Sequence, residues 1–509
     1  MRNEQGTDDS RAGVFLLLFA WLAATAWIRV LALPDEGRYV GVAWEMLRSG
    51  EWLTPQLNGL PYFHKPPLFY WITAASLWAG GLHEWSARVA PLLGAMAATL
   101  SLFHFVRRWS GAGAARASVL VLATQPLFFL GAQFANLDML VAGCITVTIL
   151  LAADAALRII AGQPHRRVLA VAYLAAALGV LAKGLIGAAI PAIVILVWLA
   201  AMHRWKVMGR LIWLPGLALF LAVAAPWFIA MQVRFPSFFD YFFIVQQFTR
   251  YTRTGFNNPQ PFWFYPVVLS VLVLPWSPWL YRAMSRTYWR DALALPVRML
   301  MWSWLFVVVL FFSFPQSKLV GYVLPALAPL AFLIADTARP LLHRSRRARR
   351  LWVSSAVVAV VASLGLIAGT MAKSQNSKRD LAQTMAALRQ PGEPILFLHE
   401  YFYEVPFYAR LTEPVLVVGD WQGPASDQAD NWKKELVDAG RFAGNGTLVD
   451  DKQLVKTLCS APVNWIMTSA NVAARYAFLA EVKPVVSVQQ TQLLRIDRAS
   501  LHGNKRWCG

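Results

Sequence analysis

Apolar runs long enough to cross a bilayer recur from residue 14 to about residue 371, separated by short polar stretches. A spanning helix needs about 20 mainly apolar residues. Runs at 14–33, 86–106, 115–133, 138–158, 167–182, 185–202, 210–231, 263–281, 298–314, 319–337 and 351–371 meet or approach that length. The stretch 66–82 is amphipathic and equally suited to lie along an interface. Val14 to Leu33 is followed by no small-residue cleavage site, so it reads as a retained first helix.

After Met371 the pattern changes. Charges mix with short β-rich runs at 395–398, 415–418, 465–468 and 485–488, with helical stretches around 377–389, 430–440 and 471–480 between them. Strands alternating with helices predict a small α/β domain. The expected architecture is a polytopic α-helical membrane region over residues 1–372, with about 11–13 helices, and an α/β domain over residues 373–509.

Composition agrees. Hydrophobic residues make up 57% of the 509, and charged residues only 15%, against about 25% in soluble domains. The formal net charge of +20 would point a soluble protein toward nucleic acid. Here the excess falls in loops: Arg107-Arg108, His165-Arg166-Arg167, His203 to Arg210, Arg282 to Arg290 and Arg339 to Arg350. With the amino terminus inside, all five loops fall inside, as the positive-inside rule requires, and the tail falls outside. Of three cysteines, Cys144 lies in an apolar run; Cys459 and Cys508 lie in the tail, where pairing or two free thiols are both open.

With that topology, polar residues that interrupt the apolar runs converge on the outer face. Asp35, Glu36, Arg38, His64 and Lys65 lie in the first outer loop. Asp138 starts the fourth run, Lys183 occupies a short outer turn, and Lys318 and Tyr322 precede Pro325 where the tenth run begins. Arg250 and Arg253 lie in the large outer loop 232–262. Taken singly, each has a plain alternative: Asp138 as a helix cap, Lys183 as a turn cap or headgroup contact, Tyr322 as an interface anchor. Together they predict one outward-facing polar cavity, since charges at a membrane are costly and tend to carry a task. Cations there suit a lipid phosphate, and a carboxylate can hold a sugar hydroxyl, act as base or steady an oxocarbenium-like transition state.

The strings Asp35-Glu36-Gly37-Arg38-Tyr39, Thr54-Pro55-Gln56-Leu57-Asn58-Gly59, Tyr62-Phe63-His64-Lys65-Pro66-Pro67-Leu68, Asn136-Leu137-Asp138, Lys183-Gly184 and Ser317-Lys318 to Tyr322 resemble the GT-C membrane glycosyltransferases of the protein O-mannosyltransferase superfamily. Within it, they are most like the lipid A aminoarabinose transferases. The resemblance implies an enzyme of the bacterial inner membrane with a periplasmic tail domain. It implies inverting transfer of a sugar from undecaprenyl phosphate to a periplasmic acceptor such as lipid A. Carried over by motif, Asp35 (with its neighbour Glu36) and Asp138 are the catalytic carboxylates. Arg38, Lys65 and Arg253 bind the donor phosphate, and Tyr62, His64, Lys183, Lys318 and Tyr322 line the substrate cavity. His64 stands where the lipid A enzyme has a glutamate that helps bind a metal, so a divalent metal stays an open option. Another sugar or a protein or glycan acceptor is the alternative within the class. A lipid or sugar transporter is the alternative outside it; that predicts mid-membrane polar sites and paired broken helices.

Overall fold

The computed structural model describes residues 13, 15–249, 258–373, 377–421, 431–444, 446–479 and 482–498. Residues 15–23 are helical and lead to a short helix α1 (Asp35–Ser49), which ends at Gly50 in the left-handed conformation. A tight hairpin, β1 (Gln56–Leu57) and β2 (Leu60–Pro61), turns at Asn58-Gly59, both at positive φ, the combination favoured in two-residue hairpin loops. Then come α2 (Leu68–Gly80), α3 (Val89–Ser110), α4 (Ala112–Thr124), α5 (Pro126–Ala132), α6 (Leu137–Ile160), α7 (Arg166–Lys183), α8 (Ile186–Ala201) and α9 (Leu214–Arg234). Beyond the large loop follow α10 (Leu295–Ser313), α11 (Leu327–Arg344) and α12 (Arg346–Lys373).

Most apolar runs became helices nearly where the pattern placed them, although the first run, expected over 14–33, is helical only to residue 23 and continues as turns; the chain is a multi-span membrane protein. Among the described residues, six helices are long and apolar enough to cross alone, or up to eight spans when two bent pairs are counted as one each, against the 11–13 expected. The difference has local causes. Gln125 precedes a proline and is extended, so α4 and α5 meet at 69°. The pair Phe264–Leu272 and Ser277–Met284 bends by 115° around Pro275. Helix α8 has only 16 residues, and α7 carries Arg166, Arg167 and Lys183 in its 18. Large apolar side chains such as Val353, Val357, Val361, Leu221 and Val233 stay exposed on α12 and α9, which suits a hydrocarbon surrounding.

The tail forms a six-stranded sheet in the order β5 (Leu448–Asp450), β4 (Leu416–Gly419), β3 (Ile395–Leu398), β6 (Val463–Ser469), β8 (Thr491–Asp497), β7 (Val486–Val488). The first four are parallel and the last two antiparallel. Strand β3 is buried at every position, as a central parallel strand must be. Helices α13 (Arg379–Leu388) and α14 (Trp432–Gly440) lie near the expected stretches; 471–480 gives only short turns. Strands β5 and β8 were not foreseen. Cys144 is a free thiol; Cys508 lies outside the described residues.

The tail is tied to the membrane region at specific points. The Asn58 side chain makes two hydrogen bonds with the Val415 backbone, at 2.8 and 2.9 Å. Phe442, just past α14, packs edge-on against Phe63 at 4.7 Å and Tyr241 at 5.3 Å. The far end of the bundle gathers the cations: Arg108 and Arg158 both pair with Asp154, and Arg339 donates to the Ser110 carbonyl.

Candidate functional site

Helix α1 begins directly after Pro34, which places Asp35 and Glu36 in its first turn, where the helix dipole favours negative charge. The two part company there, because consecutive helical residues point about 100° apart. Asp35 stays partly exposed and pairs with Arg38, one turn on. Glu36 is fully buried. It binds Arg29 and Arg88 and accepts the backbone N–H groups of Ala32 and Ala135, each at 2.7 Å.

Arg38 bridges two acids: Asp35 on its own helix and Glu435 on α14. Burial works against the Arg38 charge, but Glu435, Tyr62, Tyr39 and Asp35 more than offset it and hold the guanidinium well above its ordinary pKa. Tyr403 donates to the second oxygen of Glu435 at 2.7 Å, fixing that carboxylate.

The hairpin delivers Tyr62, His64 and Lys65 to the same place. The rings of Tyr62 and His64 stack, with centroids 4.6 Å apart and planes 14° apart. Opposite them, Asn136 caps α6 by accepting the Asp138 N–H at 3.0 Å. Asp138 pairs with Lys183 at the end of α7. The Lys183 ammonium lies 4.3 Å from the centre of the Tyr322 ring, a cation–π distance. Gly321 is required here: a Cβ on it would run into the Asp138 carboxylate.

These residues line one cavity of about 60 Å³ at the tail-domain end of the bundle: Asp35, Arg38, Tyr62, His64, Lys65, Asp138, Lys183 and Tyr322, with Tyr39, Asn136, Leu137, Leu319 and Glu435. Three carboxylates, Asp35, Asp138 and Glu435, and three cations, Arg38, Lys65 and Lys183, thus meet there. Such a set can neutralise a phosphate leaving group and offer a carboxylate to a sugar or its acceptor.

Two expected residues stand elsewhere, and a third is not among the described ones. Glu36, expected beside Asp35 as a catalytic acid, is sealed in its ion-pair knot. Burial alone would raise its pKa; Arg88 and Arg29 pull it down to about 2. Lys318, expected in the cavity wall, is buried and donates to the Gln260 carbonyl at 2.7 Å. The segment after it, Val320–Ala326, is 3₁₀ rather than α, so a spacing of four no longer puts Lys318 on the Tyr322 face. Arg253, like Arg250, lies outside the described residues.

Glu435 was missed, since one acid on an amphipathic tail helix carries no signal of its distant partner. Tyr39 and Asn136 were legible in retrospect, each flanking a residue already singled out. Among the described residues, no group of three or more His, Cys, Asp or Glu could hold a metal ion.

Comparison with known proteins gives the same direction. Residues 64–229 match the family described as dolichyl-phosphate-mannose-protein mannosyltransferase. An undecaprenyl phosphate-alpha-4-amino-4-deoxy-L-arabinose arabinosyl transferase of Edwardsiella ictaluri is 32% identical over 330 residues, 64% of this chain and 58% of that protein. The protein of the same name from Pectobacterium carotovorum is 31% identical over 376 residues, 71% of this chain and 66% of its own. These matches thus span under two thirds of the curated relatives' lengths. The crystal structure of ArnT from Cupriavidus metallidurans bound to undecaprenyl phosphate superposes with a TM-score of 0.79 at 24% identity, covering 97% of this chain and 98% of that one. That likeness establishes the shared fold. The chain is thus similar over residues 64–229 to the dolichyl-phosphate-mannose-protein mannosyltransferase family, resembles arabinosyl transferases over a longer stretch, and shares the fold of ArnT.

Proposed function

We propose that this protein transfers a sugar from undecaprenyl phosphate to an acceptor at the outer face of the bacterial inner membrane. An aminoarabinose-type pentose is the sugar that the relatives' names favour; lipid A is the acceptor that the resemblance of the sequence strings implies. The observation that carries the reading is the convergence of Asp35, Arg38, Lys65, Asp138 and Lys183 on one cavity. The ArnT fold, from a structure holding undecaprenyl phosphate, supports it.

In this reading residues 1–372 form the membrane unit and residues 373–509 a periplasmic domain whose α14 closes the cavity. The gathering of Arg108, Arg158 and Arg339 at the opposite end supports a cytoplasmic amino terminus.

The chemistry is a single displacement. An acceptor oxygen attacks the anomeric carbon from the face opposite the phosphate, the carbon–oxygen bond to phosphate breaks, and its electron pair leaves with the phosphate. Arg38 and Lys65 take up that charge, with Arg253 as a further candidate. Lys is a point charge and Arg a bidentate donor, so the pair fixes both charge and orientation. Asp35 accepts the proton when the acceptor is a hydroxyl; with an ionised phosphate acceptor no proton moves, and Asp35 stabilises positive charge on the sugar. Asp138, held by Lys183, contacts sugar or acceptor from the other wall.

The test is transfer by the purified protein from a polyprenyl-phosphate sugar, read by mass spectrometry of acceptor and released lipid phosphate. No turnover with aminoarabinose or hexose donors would overturn the reading.

A further inference from the structure

A second cavity adjoins the first and is far larger, about 630 Å³ against 60 Å³. The two share Asp35, Arg38, Leu319 and Glu435. The larger cleft runs between the start of α1 and the tail, walled there by Lys378, Glu400, Tyr401, Glu404, Asn431 and Trp432.

Glu404 distinguishes it. The residue is 1% exposed. One carboxyl oxygen accepts the Lys378 N–H at 3.1 Å, while the other, Oε2, is buried with no hydrogen-bond partner. Such an atom is costly to bury, more so when charged, unless something occupies it. It cannot swing away easily: a Cβ on Gly37 of α1 would lie 3.2 Å from both the Glu404 nitrogen and the Tyr403 Cβ, so this stretch of backbone is pressed on α1. Burial moves the Glu404 carboxyl up to about 7, against the pull of its backbone hydrogen bonds and Lys378. It can therefore present either an acceptor or a donor.

We infer that Glu404 binds a sugar hydroxyl of the acceptor, and that this cleft is where the acceptor's glycan head lies while the donor phosphate occupies the small cavity. A hydroxyl both donates and accepts, so it satisfies Oε2 in either protonation state. A second phosphate does not suit this wall: beyond Arg38, which serves the donor phosphate in the small cavity, it offers only Lys378 against Asp35, Glu400, Glu404 and Glu435. Half-buried Trp432 lines the same cleft and supplies an apolar ring of the kind that sugars pack against. The inference rests on the transfer reaction proposed above and names the residue that selects its second substrate.

The experiment measures steady-state transfer by the full chain in lipid nanodiscs, with undecaprenyl-phosphate aminoarabinose as donor and hexa-acylated lipid A as acceptor. Glu404→Leu raises the acceptor KM at least tenfold and leaves the donor KM within twofold. Glu404→Gln, which keeps the shape and one hydrogen-bonding group, recovers most of the loss and serves as the readout should Glu404→Leu not fold. An acceptor KM within twofold of wild type in both variants, or donor and acceptor KM rising together, overturns the assignment. Wild-type protein that releases no undecaprenyl phosphate from the donor overturns the transfer reading itself, and this inference with it.

Discussion

Glu36→Gln separates a structural acid from a catalytic one. The wild-type carboxylate receives Arg29 Nη2 at 3.0 Å, Arg88 Nε at 3.0 Å and Arg88 Nη2 at 3.1 Å, as well as a second contact from Arg29 and two backbone N–H groups. All three side chains are essentially sealed, with 0–2% of their side-chain surface exposed. An amide keeps the shape but removes the negative charge that pairs with the two buried guanidinium groups. Breaking a buried pair from one side costs about 3–5 kcal/mol. On the globular-protein scale, unfolding entropy is about 2.1 cal/mol/K per residue, or roughly 1 kcal/mol per degree for this length. The midpoint of thermal aggregation should therefore fall by about 3 to 5 °C. The assay is the monodisperse fraction of detergent-solubilised protein after heating, followed by transfer per surviving molecule. The pH dependence has a definite sign. The folded pKa of about 2 lies below the ordinary carboxylate value, so this contribution is fully present above the unfolded pKa of about 4.3 and is lost as pH falls toward 2. Wild type and variant should converge in stability across that window. An unchanged midpoint with transfer per molecule down more than tenfold would refute the structural assignment.

Four further outcomes are expected. Gly321→Ala places a methyl group against the Asp138 carboxylate, breaking its geometry with Lys183; transfer should fall by about 10²-fold, as for other ångström-scale misplacements, with the midpoint little changed. Glu404 behaves oppositely to Glu36. Its folded pKa of about 7 lies above the unfolded value, so ionising it destabilises the fold as pH rises from about 4.3 through 7. Glu404→Gln should therefore raise the midpoint at pH 8 and not at pH 4.5, checked by the same heating assay. Arg38 and Glu435 join α1 to α14; a double-mutant cycle with Arg38→Met and Glu435→Gln, read in thermal stability, should give a coupling of about 0.5–3 kcal/mol. Lys65→Ala should weaken undecaprenyl-phosphate binding about tenfold or more, measured by equilibrium binding in nanodiscs, as expected for loss of one charge-assisted contact.

Much of this arrangement was legible because a membrane makes charges conspicuous. Asp138 and Lys183 interrupt apolar runs at ends that the loop charges assign to one face, and they pair. Tyr62, His64 and Lys65 were legible as a string following a turn whose Asn-Gly pair sets its geometry. What was not legible is directional. Asp35 and Glu36 are adjacent in sequence, and only the helix start decides that one faces the cavity and the other the Arg29–Arg88 knot. The Lys318 to Tyr322 spacing misled because the segment winds as 3₁₀. Glu435 and Glu404 come from the tail, where acids are ordinary and their placement depends on packing against α1. The short or bent helices escaped for a related reason: hydropathy counts apolar residues and does not see a break at Gln125-Pro126.

The most direct measurement is turnover by Asp35→Asn in purified protein with undecaprenyl-phosphate aminoarabinose and lipid A. Amide for carboxylate preserves shape, so thermal stability and undecaprenyl-phosphate affinity should stay close to wild type. Transfer should fall by about 10²–10⁴-fold, the usual contribution of a positioned acid or base. Wild-type turnover by a folded, donor-binding Asp35→Asn protein would contradict the assignment of this cavity as the place where the sugar is transferred.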